Sequence, residues 1–212
     1  MGFWRPLNLF LLLFTLEVIL FLAFSSIYNP SLSASEGFTV EYNPLVYKPY
    51  FQVLIGIFLH NLAIATINFV PILGAIFMVY SISNTGLVLS VIGSLTHTPG
   101  INLALYLFTL PHSWLELPSY AVASASGIYF VIEAANSTLR KAMIRLLYMY
   151  LMVATELFVA ASVEAGEIVD KPYGYLPYLY WIPAAFAFYF LIEFYKYFQK
   201  LADSSQKCGY HY

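Results

Sequence analysis

A histidine, a serine and a carboxylic acid stand between two prolines in the run Leu110-Pro111-His112-Ser113-Trp114-Leu115-Glu116-Leu117-Pro118. Imidazole and carboxylate four residues apart share one face if the segment is helical. Together they can hold a proton or a cation. Ser113 and Glu116 also fit the S-x-x-E capping box, in which hydroxyl and carboxylate satisfy the free N–H groups of a helix start. Both readings stay open on sequence alone. Pro118 falls past the first turn of a helix beginning at Ser113, which moves the predicted start toward Leu117.

Further acids fall inside apolar runs: Glu17, Glu156 and Glu164. An ionised group at mid-membrane costs about 2.5–3.5 kcal/mol, so such acids face a bundle interior or a cavity. Glu156 and Glu164 are two helical turns apart, and one face can carry both. Two roles suit them: protonated acids bonded to neighbouring helices, or a proton or ion pathway. Glu133 and Glu167 fall near predicted span ends, where their carboxyls reach water. His60 and Asn61 suit hydrogen bonds between helices, worth roughly 0.6–2 kcal/mol each. A metal site would need folding to converge His60, His97, His112 and Glu116, since no HExxH pair is present. No metal and no cofactor is therefore predicted. Ser113 beside His112 is adjacency rather than a triad, and no G-x-S-x-G elbow appears, so the expected role is non-enzymatic.

The elements that must position these groups are membrane helices. Of 212 residues, 61% are hydrophobic and only 9% charged, with a mean hydropathy of +0.75. Soluble domains carry about 25% charged residues, so lipid has to be the main solvent. A net charge of −2 offers no basic face for phosphates, which excludes nucleic acid as a partner. The single cysteine, Cys208, excludes an internal disulfide framework. Arg5 precedes a long apolar run that no small-residue cleavage pattern closes, so this run is expected to be a retained first span.

One transmembrane domain is predicted over the whole chain, an all-α bundle of about six spans plus a re-entrant half-helix. Spans are expected near 8–28, 49–69, 72–94, 116–135, 146–167 and 176–195, each close to the ~30 Å of a hydrocarbon core. A polar loop is expected over 31–48, and a basic one over 136–145. Gly86, Ser90 and Ser94 form a small-residue stripe, and Ala123 with Gly127 a second close-packing pair. Residues 101–110 reach only ~15 Å, half a core. Pro111 ends that helix, so it is read as entering and turning back. Charge parity agrees. With a cytoplasmic N-terminus and no crossing at 101–110, Arg5, Arg140, Lys141, Arg145, Lys196, Lys200 and Lys207 fall inside, against Lys48 and Lys171 outside. Both termini are then cytoplasmic, in a cell membrane, and the sequon at Asn136 is on the wrong side for glycosylation. Tyr173, Tyr175, Tyr178, Tyr180 and Trp181 form an interfacial belt at the outer end of the last span.

From about Phe58 to Gly166 the sequence resembles the stage II sporulation protein M family of prokaryotic integral membrane proteins. Asn61 matches the family's early second-span asparagine, and Gly74 and Gly86 its glycine-bearing third span. Pro111, His112, Glu116 and Pro118 match its Pro-His-Gly-x-x-Glu-x-Pro signature, and Ala161 with Glu164 its Ala-x-x-Glu. Ser113 stands where the signature has glycine. The resemblance implies a scaffold or subunit of a membrane complex, partnered by other membrane proteins or by its own copies. The sporulation member works beside peptidoglycan-degrading partners. Relatives in archaea lack peptidoglycan, so the resemblance does not carry that role over. The alternative is a transporter or channel component moving protons, ions or a solute past the intramembrane carboxylates.

Overall fold

The computed structural model describes residues 6–27, 48–136, 138–171 and 174–193, and every regular element among them is helical. In chain order these are α1 (Pro6–Ser25), α2 (Tyr50–Asn68), α3 (Leu73–Leu95), α4 (Gly100–Leu107), α5 (Ser113–Asn136), α6 (Leu139–Asp170) and α7 (Leu176–Glu193). A turn at Tyr180 interrupts α7. All but α4 are long and apolar enough to cross a membrane. The chain is an all-α multi-pass bundle, as its composition demands. Arg5, the loop over 31–47, Ser137 of the sequon, Tyr173, the lysines at 196, 200 and 207, and Cys208 lie outside the described residues.

Helix α5 is the hub, packed against α1, α2, α3 and α6. The small residues singled out in the sequence allow its neighbours to come close. A Cβ on Gly86 of α3 would stand 2.8 Å from the carbonyl oxygen of Phe21, so α1 and α3 meet backbone to backbone. Ser90, one turn on, donates its hydroxyl to the carbonyl of Ile27 just past α1. On α5, a Cβ at Gly127 would stand 2.8 Å from the carbonyl of Phe69, at the end of α2. Beside it Ala123 is fully buried with Ala65, Phe69, Tyr120, Val153 and Leu157.

Helix α4 has eight residues and reaches only ~12 Å, too little to cross. It packs against α1 and α3. Gly100, at its start, lies against Ser25 at the end of α1. The Phe108 ring, just past its end, meets Phe21 edge-on at 5.5 Å.

One expected boundary is corrected. Helix α6 begins at Leu139, where a basic loop was predicted up to 145. Thr138 has extended dihedrals (φ −92°, ψ 138°) and opens the helix. Arg140, Lys141 and Arg145 then ride on its first turns without breaking it. Arg145 Nη1 reaches Glu133 Oε1 of α5 at 2.9 Å. At 32 residues α6 runs ~48 Å. It is longer than a ~30 Å core, which gives its charged first turns room to stand outside the apolar layer.

Candidate functional site

The site begins with the interruption between α4 and α5. A helix end leaves carbonyls without partners, and in an apolar medium each must find a donor. Here side chains supply them. Ser113 Oγ donates to the Leu107 carbonyl at 2.8 Å, Trp114 Nε1 to Phe108 at 2.9 Å, and Trp181 Nε1 of α7 to Thr109 at 2.9 Å. The S-x-x-E capping box therefore does not form. Ser113 caps the preceding helix, and Glu116 accepts a hydrogen bond from Tyr120 Oη at 2.8 Å. Helix α5 starts at Ser113 and continues through Pro118, contrary to the later start expected. Proline at its sixth position removes one N–H, the one that would meet the Trp114 carbonyl.

This break delivers His112 and Glu116 to the bundle interior. One ligand-capable atom each from His112, Glu116 and Glu164 lie within 4.8 Å of one another. His112 is buried, and the two acids are half-buried. His112 Nδ1 is paired with Glu167 Oε2, one turn beyond Glu164 on α6. Its Nε2 lies 3.3 Å from Ser113 Oγ, whose proton is already committed to Leu107. Glu17 of α1 is fully buried, close enough to Glu116 for their charges to interact, and neither of its carboxyl oxygens has a hydrogen-bond partner. The charges acting on His112 come from Glu164, Glu167 and Glu116, all acids. Imidazole, phenol and four carboxyls thus meet where α1, α5 and α6 come together.

Other sequence candidates fall elsewhere. His60 is exposed on the outer face of α2, midway along that helix. Asn61 beside it points inward and is buried, with its Nδ2 unpartnered. Glu156 is buried on α6 next to Ser119 and senses no other charge of the cluster. His97 is exposed in the turn between α3 and α4. Pro111 is fully buried at the break. Glu167 is the main correction: expected to reach water at a span end, it is 4% exposed and bound to His112. Its spacing of three from Glu164 was the available signal, since i and i+3 share a face. Tyr120 was missed too, although it is one turn after Glu116 on the same face.

A family model described as stage II sporulation protein M matches residues 9–166. No curated protein matches the chain, and no solved structure does. The match runs from α1 to the Ala161–Glu164 turn of α6, wider than the sequence resemblance. It takes in the proline-flanked break together with Glu17, Glu116 and Glu164. On that extent, well over half of its length, the chain belongs to the stage II sporulation protein M family.

Proposed function

We propose that this protein is a non-enzymatic subunit of a cell-membrane complex, assembled through the outer face of α2. One observation carries the reading. His60 is exposed at the middle of a membrane-spanning helix, where a polar side chain facing lipid is unfavourable. One turn before it, Gly56 has open space around it. A small residue beside a hydrogen-bonding one is how membrane helices pair. A cysteine at Gly56 meets nothing in the fold, so Gly56→Cys in a Cys208→Ser background is a clean probe. Oxidation in native membranes should trap either a disulfide dimer or a stoichiometric adduct with a second membrane protein. A protein that stays uncrosslinked, and runs as a monomer in mild detergent, overturns the reading.

The topology belongs to the same proposal: both termini cytoplasmic, with α4 entering from the outer side and turning back at 108–112. Glu116, in the first turn of α5, faces Glu17, the twelfth of twenty residues in α1. This supports a break at the depth of mid-α1, and the side-chain donors to the carbonyls around the break suit that depth.

A second reading is favoured by the convergence of His112, Glu116 and Glu164. Those groups can pass protons or ions between helices. Purified protein in liposomes should then carry a flux that Glu116→Gln abolishes, and no flux of protons or common cations would remove it.

A further inference from the structure

We propose that Glu116, Glu164 and the Nε2 atom of His112 bind a divalent first-row transition-metal ion. One ring nitrogen of His112 and one carboxylate oxygen each of Glu116 and Glu164 lie within 4.8 Å of one another, so they have a common centre about 2.8 Å from each at most. Nε2 is assigned as the ligand because Nδ1 is paired with Glu167. Metal bonds to imidazole and carboxylate run about 2.0–2.2 Å. Inward shifts of about 0.7 Å, within reach of a side-chain torsion, bring all three to bonding distance.

The pairing of His112 suits this. Glu167 holds Nδ1, and an ionised carboxylate there can only accept the Nδ1 proton. In the neutral ring with its proton on Nδ1 the lone pair is on Nε2, and Ser113 does not donate to it, because its proton goes to Leu107. Metal-binding histidines commonly show this arrangement, with the second ring nitrogen tied to a carboxylate that fixes the ring and raises its basicity. Tyr120 orients Glu116 in the same way through its 2.8 Å hydrogen bond.

Charge balance points in the same direction. Glu116, Glu164 and Glu167 surround a single imidazole, and Glu17 lies near Glu116. The other charges acting on Glu164 are His112, Glu116 and Glu167, with no lysine or arginine among them. Buried carboxylates need a positive partner, and a doubly charged ion offsets the two that ligate it. Glu17 adds an independent sign. It is completely buried near Glu116 with neither oxygen hydrogen-bonded, so a cation at Glu116 would offset its charge as well. One imidazole with carboxylates and no thiolate suits Zn²⁺, Mn²⁺ or Fe²⁺ rather than Cu⁺.

The site shares residues with the transport reading but does not depend on it, since occupancy and flux are separate measurements. The test is Zn²⁺ and Mn²⁺ titration by calorimetry on chelator-stripped, full-length protein in mild detergent, with metal content per chain. One ion per chain is expected. The Glu116→Gln/Glu164→Gln double variant should not bind. Glu167→Ala, which removes only the group orienting His112, should weaken binding about 10–100-fold. Glu156→Gln and His60→Ala should bind like wild type, as controls for folding and for adventitious binding at an exposed histidine. Co²⁺-loaded protein should show visible absorption that changes in His112→Ala. Wild-type protein that binds neither ion, or a double variant that binds unchanged, overturns the proposal. Proton flux without occupancy would leave the transport reading standing and remove this one; occupancy without flux would do the reverse.

Discussion

Replacing Glu17 with leucine should make the stripped protein more stable. Both carboxyl oxygens of Glu17 are buried without a hydrogen-bond partner in the middle of α1. A buried polar group left unsatisfied costs about 1–3 kcal/mol. Leucine has a similar volume and removes that cost, next to Leu13 and Phe21 on the same buried stripe. For a chain of this size 1 kcal/mol shifts the melting temperature by about 2–4 °C. The expected gain in chelator-treated protein is therefore about 2–12 °C. Glu17→Gln, which keeps two polar atoms in place, should gain less than leucine. Thermal unfolding followed by intrinsic fluorescence in one detergent gives the comparison. With saturating Zn²⁺ the order should narrow, because a cation at neighbouring Glu116 attracts the Glu17 carboxylate. A leucine variant that melts below wild type in the stripped state would refute the reasoning. It would mean that Glu17 makes a favourable interaction in the metal-free bundle.

Gly127→Val forces a branched side chain against the Phe69 carbonyl and should abolish a monodisperse peak in gel filtration, whereas Gly56→Val should leave the monomer fold intact. Trp181→Phe keeps the ring but strips the donor from the Thr109 carbonyl, and should cost about 1–3 kcal/mol in equilibrium unfolding. Arg145→Ala breaks a partly exposed pair with Glu133 and should cost no more than about 1 kcal/mol in the same assay.

What the sequence disclosed, and what it concealed, follows from the medium. Length and hydropathy reveal each crossing helix, because a lipid-facing helix needs apolar residues whatever it packs against. Prolines reveal the break, since their backbone chemistry is local. The stripe at Gly86 and Ser90 is legible for the same reason: only small residues let α1 and α3 touch. The orientation of α2 was not legible. With nearly every side chain apolar, the inward and outward faces carry the same signal, so nothing separated exposed His60 from buried Asn61. Charge misled at both ends of α6. Arg140, Lys141 and Arg145 suggested a loop, but a helix emerging from the apolar layer carries charge without ending. Glu167 looked water-bound for the mirror-image reason. Its partner, His112, is 55 residues away in sequence, and only tertiary packing brings the two together.

The central claim is that the chain turns back at residues 108–112 with His112 and Glu116 sheltered by neighbouring helices. Single cysteines at exposed Thr96 and Thr138, each in a Cys208→Ser background, test it through labelling of intact cells with a membrane-impermeant thiol reagent. Only α5 crosses between them on this account, so Thr96→Cys should label from outside and Thr138→Cys only after the membrane is opened. Labelling of both from the same side would mean that residues 100–112 complete a crossing of their own, and would contradict the topology and the placement of the site together.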